Sequence, residues 1–126
     1  MANELILIVE DNDKNMKLAR DILQVKGYRT IEAESAEAGL PLASAHKPDL
    51  VLMDIHLPGM NGIDALKKLR AAPDTSSIPV LAFTASVMPQ DRREIMSAGF
   101  DGFLSKPINL KEFLETISAA LKGGKP

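Results

Sequence analysis

The chain has no cysteine and no tryptophan, and its aromatic content is one tyrosine and four phenylalanines. Without cysteine there is no disulfide scaffold, no thiol chemistry and no Cys-ligated zinc or iron–sulfur site. Nor does any apolar run approach the roughly 18–20 residues of a membrane helix. Glu4 falls within the first four residues and no basic stretch precedes it, so no signal peptide is visible. These absences make a cytoplasmic protein with no membrane association the expected reading. An excess of one charge is lacking too: 15 Lys+Arg against 17 Asp+Glu leave a net charge of −2. That balance argues against nucleic acid as a partner, because phosphate binding wants a basic surface. The small total hides an asymmetry. Residues 1–64 carry 11 acids and 6 bases, a net of −5, and residues 65–126 carry 6 acids and 9 bases, a net of +3.

What is present is an alternation of strand and helix patterns. Leu5–Val9, Leu50–Met53 and Pro79–Phe83 are short unbroken apolar runs of the kind buried on both faces of a sheet. Tyr28–Ala33 and Gly102–Ser105 read as two further strands. Pro79 stands at a first strand position, where proline is tolerated. Between the strands lie helical patterns. Met16, Ala19, Ile22 and Leu23 recur at helical spacing, and Gly27 supplies the stop. Ser35 can cap a second helix that must end before Lys47-Pro48. Pro41 falls inside it and predicts a kink or a shortened helix. Ile63, Leu66 and Leu69 mark a third helix ended by Pro73, after a loop over 57–62. Pro89 fits the first turn of a fourth, which closes at Gly99. Asn109 and Glu112 form a near capping box for the last, whose apolar stripe is Phe113, Leu114, Ile117 and Leu121.

Five βα units imply an α/β fold with a parallel sheet covered on both faces. Five strands and five helices of ordinary length take roughly 85 residues and leave about four per connection. One domain over 1–126 is expected, with an ordered core over about 4–122 and a frayed tail at 123–126.

Open parallel sheets bind ligands beyond the carboxyl ends of their strands. The residues there are Glu10, Asp11, Asn12 and Asp13 after the first strand, Asp54 after the third, Thr84 at the end of the fourth, and Lys106 and Pro107 after the fifth. Each has a plain alternative. Asp11, Asn12 or Asp13 can cap the first helix, Asp54 a loop; Thr84 can be a turn residue and Lys106 a solvated charge. Together their types match phosphoryl transfer to a carboxylate. An aspartate such as Asp54 can accept a phosphoryl group as an acyl phosphate. Clustered carboxylates repel one another and an incoming phosphate, and oxygen ligands select a hard cation such as Mg²⁺. Asp11 and Asp54 would bind it directly and Glu10 through water. Lys106 would supply a point charge and Thr84 a hydrogen bond to phosphoryl oxygens.

The segments Leu7-Ile8-Val9-Glu10-Asp11-Asn12, Leu52-Met53-Asp54-Ile55-His56-Leu57-Pro58-Gly59-Met60-Asn61-Gly62, Ile78-Pro79-Val80 with Thr84-Ala85, and Lys106-Pro107, in this order and spacing, resemble a response-regulator receiver domain over almost the whole chain. The resemblance implies the flavodoxin-like doubly wound sheet of order 2-1-3-4-5 with five helices. It implies that Asp54 takes a phosphoryl group from a histidine kinase or phosphotransfer protein. His56 then matches the position whose backbone carbonyl completes the metal shell; as a plain alternative its imidazole is a neutral surface group. The Lys106-Pro107 bond matches a position usually cis. Thr84 and Phe103 match a switch pair, in which the threonine moves toward the phosphoryl group and the aromatic turns inward; otherwise Phe103 is a core residue at the sheet edge. The family reads as a phosphoacceptor signalling domain, not a turnover enzyme, that assists its own phosphorylation and dephosphorylation. Output would pass to an adaptor or kinase through the face formed by the fourth helix, fifth strand and fifth helix.

Glu10-Asp11-Asn12, then Asn15-Met16-Lys17-Leu18 and Gly27-Tyr28, further resemble DivK-type single-domain regulators of cell-cycle and polarity control. Pro41 and Met88-Pro89 are local departures. A free-standing regulator is expected; the alternative is a receiver excised from a hybrid kinase or a longer regulator. Two readings of other classes fit less well. An Asp-nucleophile phosphatase of the haloacid-dehalogenase type wants a second Asp two residues on, where His56 stands, and a flavodoxin wants a phosphate cradle where Glu10-Asp11-Asn12-Asp13 would repel one.

Overall fold

A computed structural model describes residues 3–85 and 89–123. Five strands form one parallel sheet: β1 (Leu5–Val9), β2 (Arg29–Ala33), β3 (Leu50–Asp54), β4 (Val80–Thr84) and β5 (Gly102–Ser105). Their order is β2-β1-β3-β4-β5, and every neighbouring pair is parallel. The helices are α1 (Asp13–Val25), α2 (Ala36–His46), α3 (Gly62–Ala71), α4 (Pro89–Ser97) and α5 (Leu110–Gly123). This is the flavodoxin-like arrangement expected.

Alternation along the strands divides the core into two layers. Ile6 and Ile8 of β1, Leu50 and Leu52 of β3 and Phe83 of β4 meet Met16, Ala19 and Leu23 of α1 and Phe113, Ile117 and Leu121 of α5. Leu7, Val9, Val51, Met53 and Ala82 meet α2, α3 and α4 through Ala36, Ala43, Leu66, Leu69 and Ile95. Residues on both sides of β1, β3 and β4 are therefore buried, which is why those strands read as unbroken apolar runs. A side-chain bridge fixes the lower edge: Asp101 Oδ2 accepts from Val80 N at 2.8 Å and from Arg70 Nη2 at 2.7 Å, joining α3, β4 and the start of β5.

Several boundaries differ from expectation by one residue. β2 begins at Arg29, because Tyr28 N still donates to Leu23 O at the end of α1. β3 extends to Asp54, which pairs in register with Phe83. β4 runs from Val80 to Thr84; Pro79 cannot donate, but its carbonyl still accepts from Val51 N at 3.0 Å. Of the three residues that could cap α1, Asn12 does so, its side chain accepting from Asn15 N. Asn109 caps α5 in the same way, from Glu112 N. In α3 the buried residues are Gly62, Ala65, Leu66 and Leu69, and Ile63 is half-buried.

Of the kink or shortened helix expected at Pro41, the shortening does not occur. α2 runs through it to His46 and stops at Lys47, whose φ is +47°. Pro41 is exposed, so the ring sits on the solvent side of the helix, where water can replace the donor that Glu37 O loses. α5 continues one residue into the expected tail, to Gly123; the rest of the tail, residues 124–126, lies outside the described residues. So does Met88, which leaves only the Pro89 side of that departure, the start of α4, in view. No helix among the described residues is long and apolar enough to cross a membrane.

Candidate functional site

The sheet register brings the strand ends together. Val9 pairs with Met53, Asp54 with Phe83 and Thr84 with Ser105. Glu10 and Asp11, the carboxylate of Asp54, Thr84 and Lys106 therefore share one edge, although they come from widely separated parts of the chain. The parallel arrangement causes this: every strand points its carboxyl end the same way.

Lys106 is the hub. Its Nζ lies 2.7 Å from Glu10 Oε1 and 3.2 Å from Asp54 Oδ2, to which it donates a hydrogen bond. The same ammonium stands 4.9 Å from the centroid of the Phe83 ring, a cation–π distance. Its main chain is fixed as well, Lys106 N donating to Thr84 O at 2.9 Å. The Lys106–Pro107 peptide is cis. Backbone donors hold the acids' second oxygens: Asn12 N donates to Glu10 Oε2 and His56 N to Asp54 Oδ1, each at 3.0 Å. The His56 side chain is exposed.

Glu10 is 1% exposed and Asp54 4%, whereas Asp11 is open to solvent. Burial pushes the Glu10 carboxyl above the usual carboxylate range, and the negative charge of Asp54 acts in the same direction; Lys106 and the Asn12 N–H oppose them. Glu10 Oε1 accepts no hydrogen bond among the described residues, so the contact with Lys106 is a meeting of charges. A buried carboxylate oxygen with spare acceptor capacity is costly alone. The Glu10 carboxylate also stands beside two other acids, since one oxygen each from Glu10, Asp11 and Asp54 lies within 4.8 Å of the others. An all-oxygen set of this charge, open to water on the Asp11 side, fits a hard divalent cation.

Thr84 is fully buried at the end of β4. Phe103 is half-buried in β5, next to Ala82, packed on the α2–α4 side of the core. The guanidinium of Arg92, on α4, lies 4.8 Å from its ring centroid.

Four features of this region were not legible in the sequence: the Phe83 ring beneath Lys106, the His56 N–H on Asp54, the contact of Gly62 with the Asp54 backbone, and the hydrogen bond from Met60 N to Glu37 Oε2 at 3.1 Å. Phe83 looks like any strand residue. The His56 N–H is a main-chain group with no residue signature. Gly62 closes a loop that composition marks, but nothing in the sequence says that it meets the Asp54 backbone.

Comparison with known proteins is consistent over most of the chain. The sequence pattern of the response regulator receiver domain matches residues 6–118. The polar-differentiation response regulator DivK of Brucella ovis is 44% identical over 116 residues, covering 92% of this chain and 94% of DivK. A CheY-like response regulator receiver domain protein from Methanospirillum hungatei superposes with a TM-score of 0.88 at 27% identity, covering 98% of both chains. The receiver domain of a sensor histidine kinase from Pseudomonas aeruginosa, described with a magnesium ion coordinated in its active-site cleft, gives 0.88 at 29% identity, covering 96% of this chain and 99% of its own.

Proposed function

The chain belongs to the response regulator receiver domain family, and from that premise we propose that it is a stand-alone, single-domain regulator that accepts a phosphoryl group on Asp54 and signals by binding other proteins. One observation carries the reading. The Asp54 carboxylate ends the central strand β3, nearly buried, with Lys106 on one oxygen and the carboxylates of Glu10 and Asp11 at its side.

In the transfer, an Asp54 oxygen attacks the phosphorus of a phosphohistidine on a histidine kinase or phosphotransfer protein. The new P–O bond forms as the P–N bond breaks, and the electron pair leaves with the imidazole. Asp54 is poised for this because His56 N–H and Lys106 orient its carboxylate. Asp11 and Asp54 would hold Mg²⁺ directly, Glu10 through water and His56 by its carbonyl; the ion supplies the positive charge that lets an anionic phosphoryl group approach three acids. Lys106 passes from the Asp54 oxygen to a phosphoryl oxygen, and the Thr84 hydroxyl donates to another. The proton already on the other nitrogen of the phosphohistidine ring makes the departing imidazole neutral, so at Asp54 positioning and charge neutralisation do the work.

Output is read at the face of α4, β5 and α5. Thr84 moves toward the phosphoryl group and Phe103 turns inward, a two-state element biased by one new charge-assisted contact. Because Phe103 has no hydroxyl, a partner reads ring position and groove shape. The 44% identity to DivK, over 94% of the length of that protein, supports a role in cell-cycle or polarity control, exerted on an adaptor or kinase.

The test is intact mass after incubation with Mg²⁺ and a small-molecule phosphodonor. The wild type should gain one phosphoryl group and Asp54→Asn none; an Asp54→Asn protein that still gains it overturns the assignment. Phosphorylation-dependent, sequence-specific DNA binding by the purified chain would overturn protein binding as the output.

A further inference from the structure

The loop between β3 and α3 follows Asp54 directly and carries His56, whose N–H holds Asp54 Oδ1. Its two ends are tied by Gly62 N donating to Ile55 O at 3.1 Å, and Leu57 is buried beneath it. Its tip is held from another element. Glu37, in the first turn of α2, accepts from Met60 N at 3.1 Å through Oε2. The approach is close enough that a Cβ on Gly59 would stand 2.8 Å from the same oxygen, and Gly59 has a φ of +75° that suits glycine.

Glu37 is well placed for this. Ser35 caps α2 by accepting from Ala38 N, and a carboxylate in the first turn of a helix is favoured by the helix dipole. α2 is itself anchored, with Ala36, Gly39 and Ala43 buried against the sheet. A carboxylate–amide hydrogen bond from an anchored helix thus fixes a loop whose His56 N–H holds Asp54 and whose His56 carbonyl the receiver reading assigns to the metal shell.

We propose that Glu37 is a positioning residue for the Asp54 site, acting through Met60 on the loop that presents the His56 main chain. The inference rests on the receiver reading of that loop. Glu37 touches neither Asp54 nor an incoming phosphoryl group; it sets how often the loop is in the conformation that completes the metal shell. What matters is an acceptor at Oε2, not the negative charge.

The test compares the full chain with Glu37→Ala and Glu37→Gln, the second keeping an acceptor without the charge. Mg²⁺ affinity is measured by calorimetry, and the Met60 and His56 amides are followed by NMR and hydrogen exchange without metal. In Glu37→Ala, Met60 N–H should exchange faster, the His56 amide should shift and Mg²⁺ should bind about three- to tenfold more weakly. Glu37→Gln should stay within about twofold of wild type. Unchanged Met60 exchange and Mg²⁺ affinity in Glu37→Ala would overturn the proposal. So would a Glu37→Gln protein that behaves like Glu37→Ala, since charge would then be the cause. If the wild type itself binds no Mg²⁺, the metal reading fails, and the two amides still decide whether Glu37 positions the loop.

Discussion

The carbonyl oxygen of Asp54 lies 2.5 Å from the point where a Cβ on Gly62 would stand, and the Cα of Ile55 lies 2.9 Å from it. The first residue of α3 is thus pressed onto the backbone of Asp54, and both close atoms are main chain, with no flexible end to move aside. A methyl group at 62 must displace the helix or the strand end. Gly62→Ala should cost about 1–3 kcal/mol of stability, as overpacking does. It should also slow phosphorylation by a small phosphodonor, although no side chain at the site has changed. Denaturant unfolding and an intact-mass time course check this. Wild-type values for both would show that the backbone relaxes freely there.

Lys106 lies between two nearly buried acids, and its removal leaves them facing each other. Lys106→Met, measured in EDTA, should destabilise the fold at neutral pH by about 2–4 kcal/mol, somewhat below the cost of breaking a fully buried pair. The loss should shrink on acidification. The Glu10 carboxyl is held above its ordinary value of 4.5, mainly by burial. A group raised in the folded state stabilises most below its unfolded pKa, and that stability is lost as pH rises through the folded value. Without the lysine the folded value rises further, so the penalty at neutral pH grows and falls away toward pH 4.5. Unfolding curves over that range check it; a gap that widens in acid would contradict the assignment.

The legible part of the molecule is the part that one-dimensional pattern controls. Leu5–Val9 and Leu50–Met53 are apolar on both faces because helices cover both, and parallel strands then deliver Glu10, Asp54, Thr84 and Lys106 to one edge. Strand ends were less legible because they are set by pairing. Asp54 belongs to β3 through its register with Phe83, and a buried acid does not look like a strand residue. Pro79 reads as strand but lies outside β4. Contacts such as Glu37 with Met60, 23 residues apart, depend on the path of a loop, and Phe83 gains its role only from the fold of β5 beside it.

Pro41 is the clearest case of a local rule yielding to context, and it predicts a gain. α2 continues through it at the loss of one hydrogen bond, to Glu37 O. The position is exposed, so the ring contributes little packing. Pro41→Ala should restore the donor and raise stability by about 1–3 kcal/mol. A higher denaturation midpoint with an unchanged slope is the expected result. A lower midpoint would mean that α2 is shaped around the proline.

Phe103 and Arg92 offer a test of the proposed switch before any partner is known. The guanidinium lies 4.8 Å from the ring centroid, and such a contact at an exposed site contributes about 0.5–1 kcal/mol. It links α4 to the half-buried position the ring holds here, so it opposes the further inward turn of Phe103 that the proposed switch requires. Arg92→Ala should raise the inward population of the unphosphorylated protein by about two- to fivefold. On adding beryllofluoride as a phosphoryl mimic, the Phe103 ring resonances of the wild type should move. Those of Arg92→Ala should start part of the way along the same line and end at the same place. Asp54→Asn should leave them unmoved. Ring resonances indifferent to beryllofluoride would remove Phe103 from the switch, and an Arg92→Ala spectrum matching wild type throughout would show that the cation does not hold the ring.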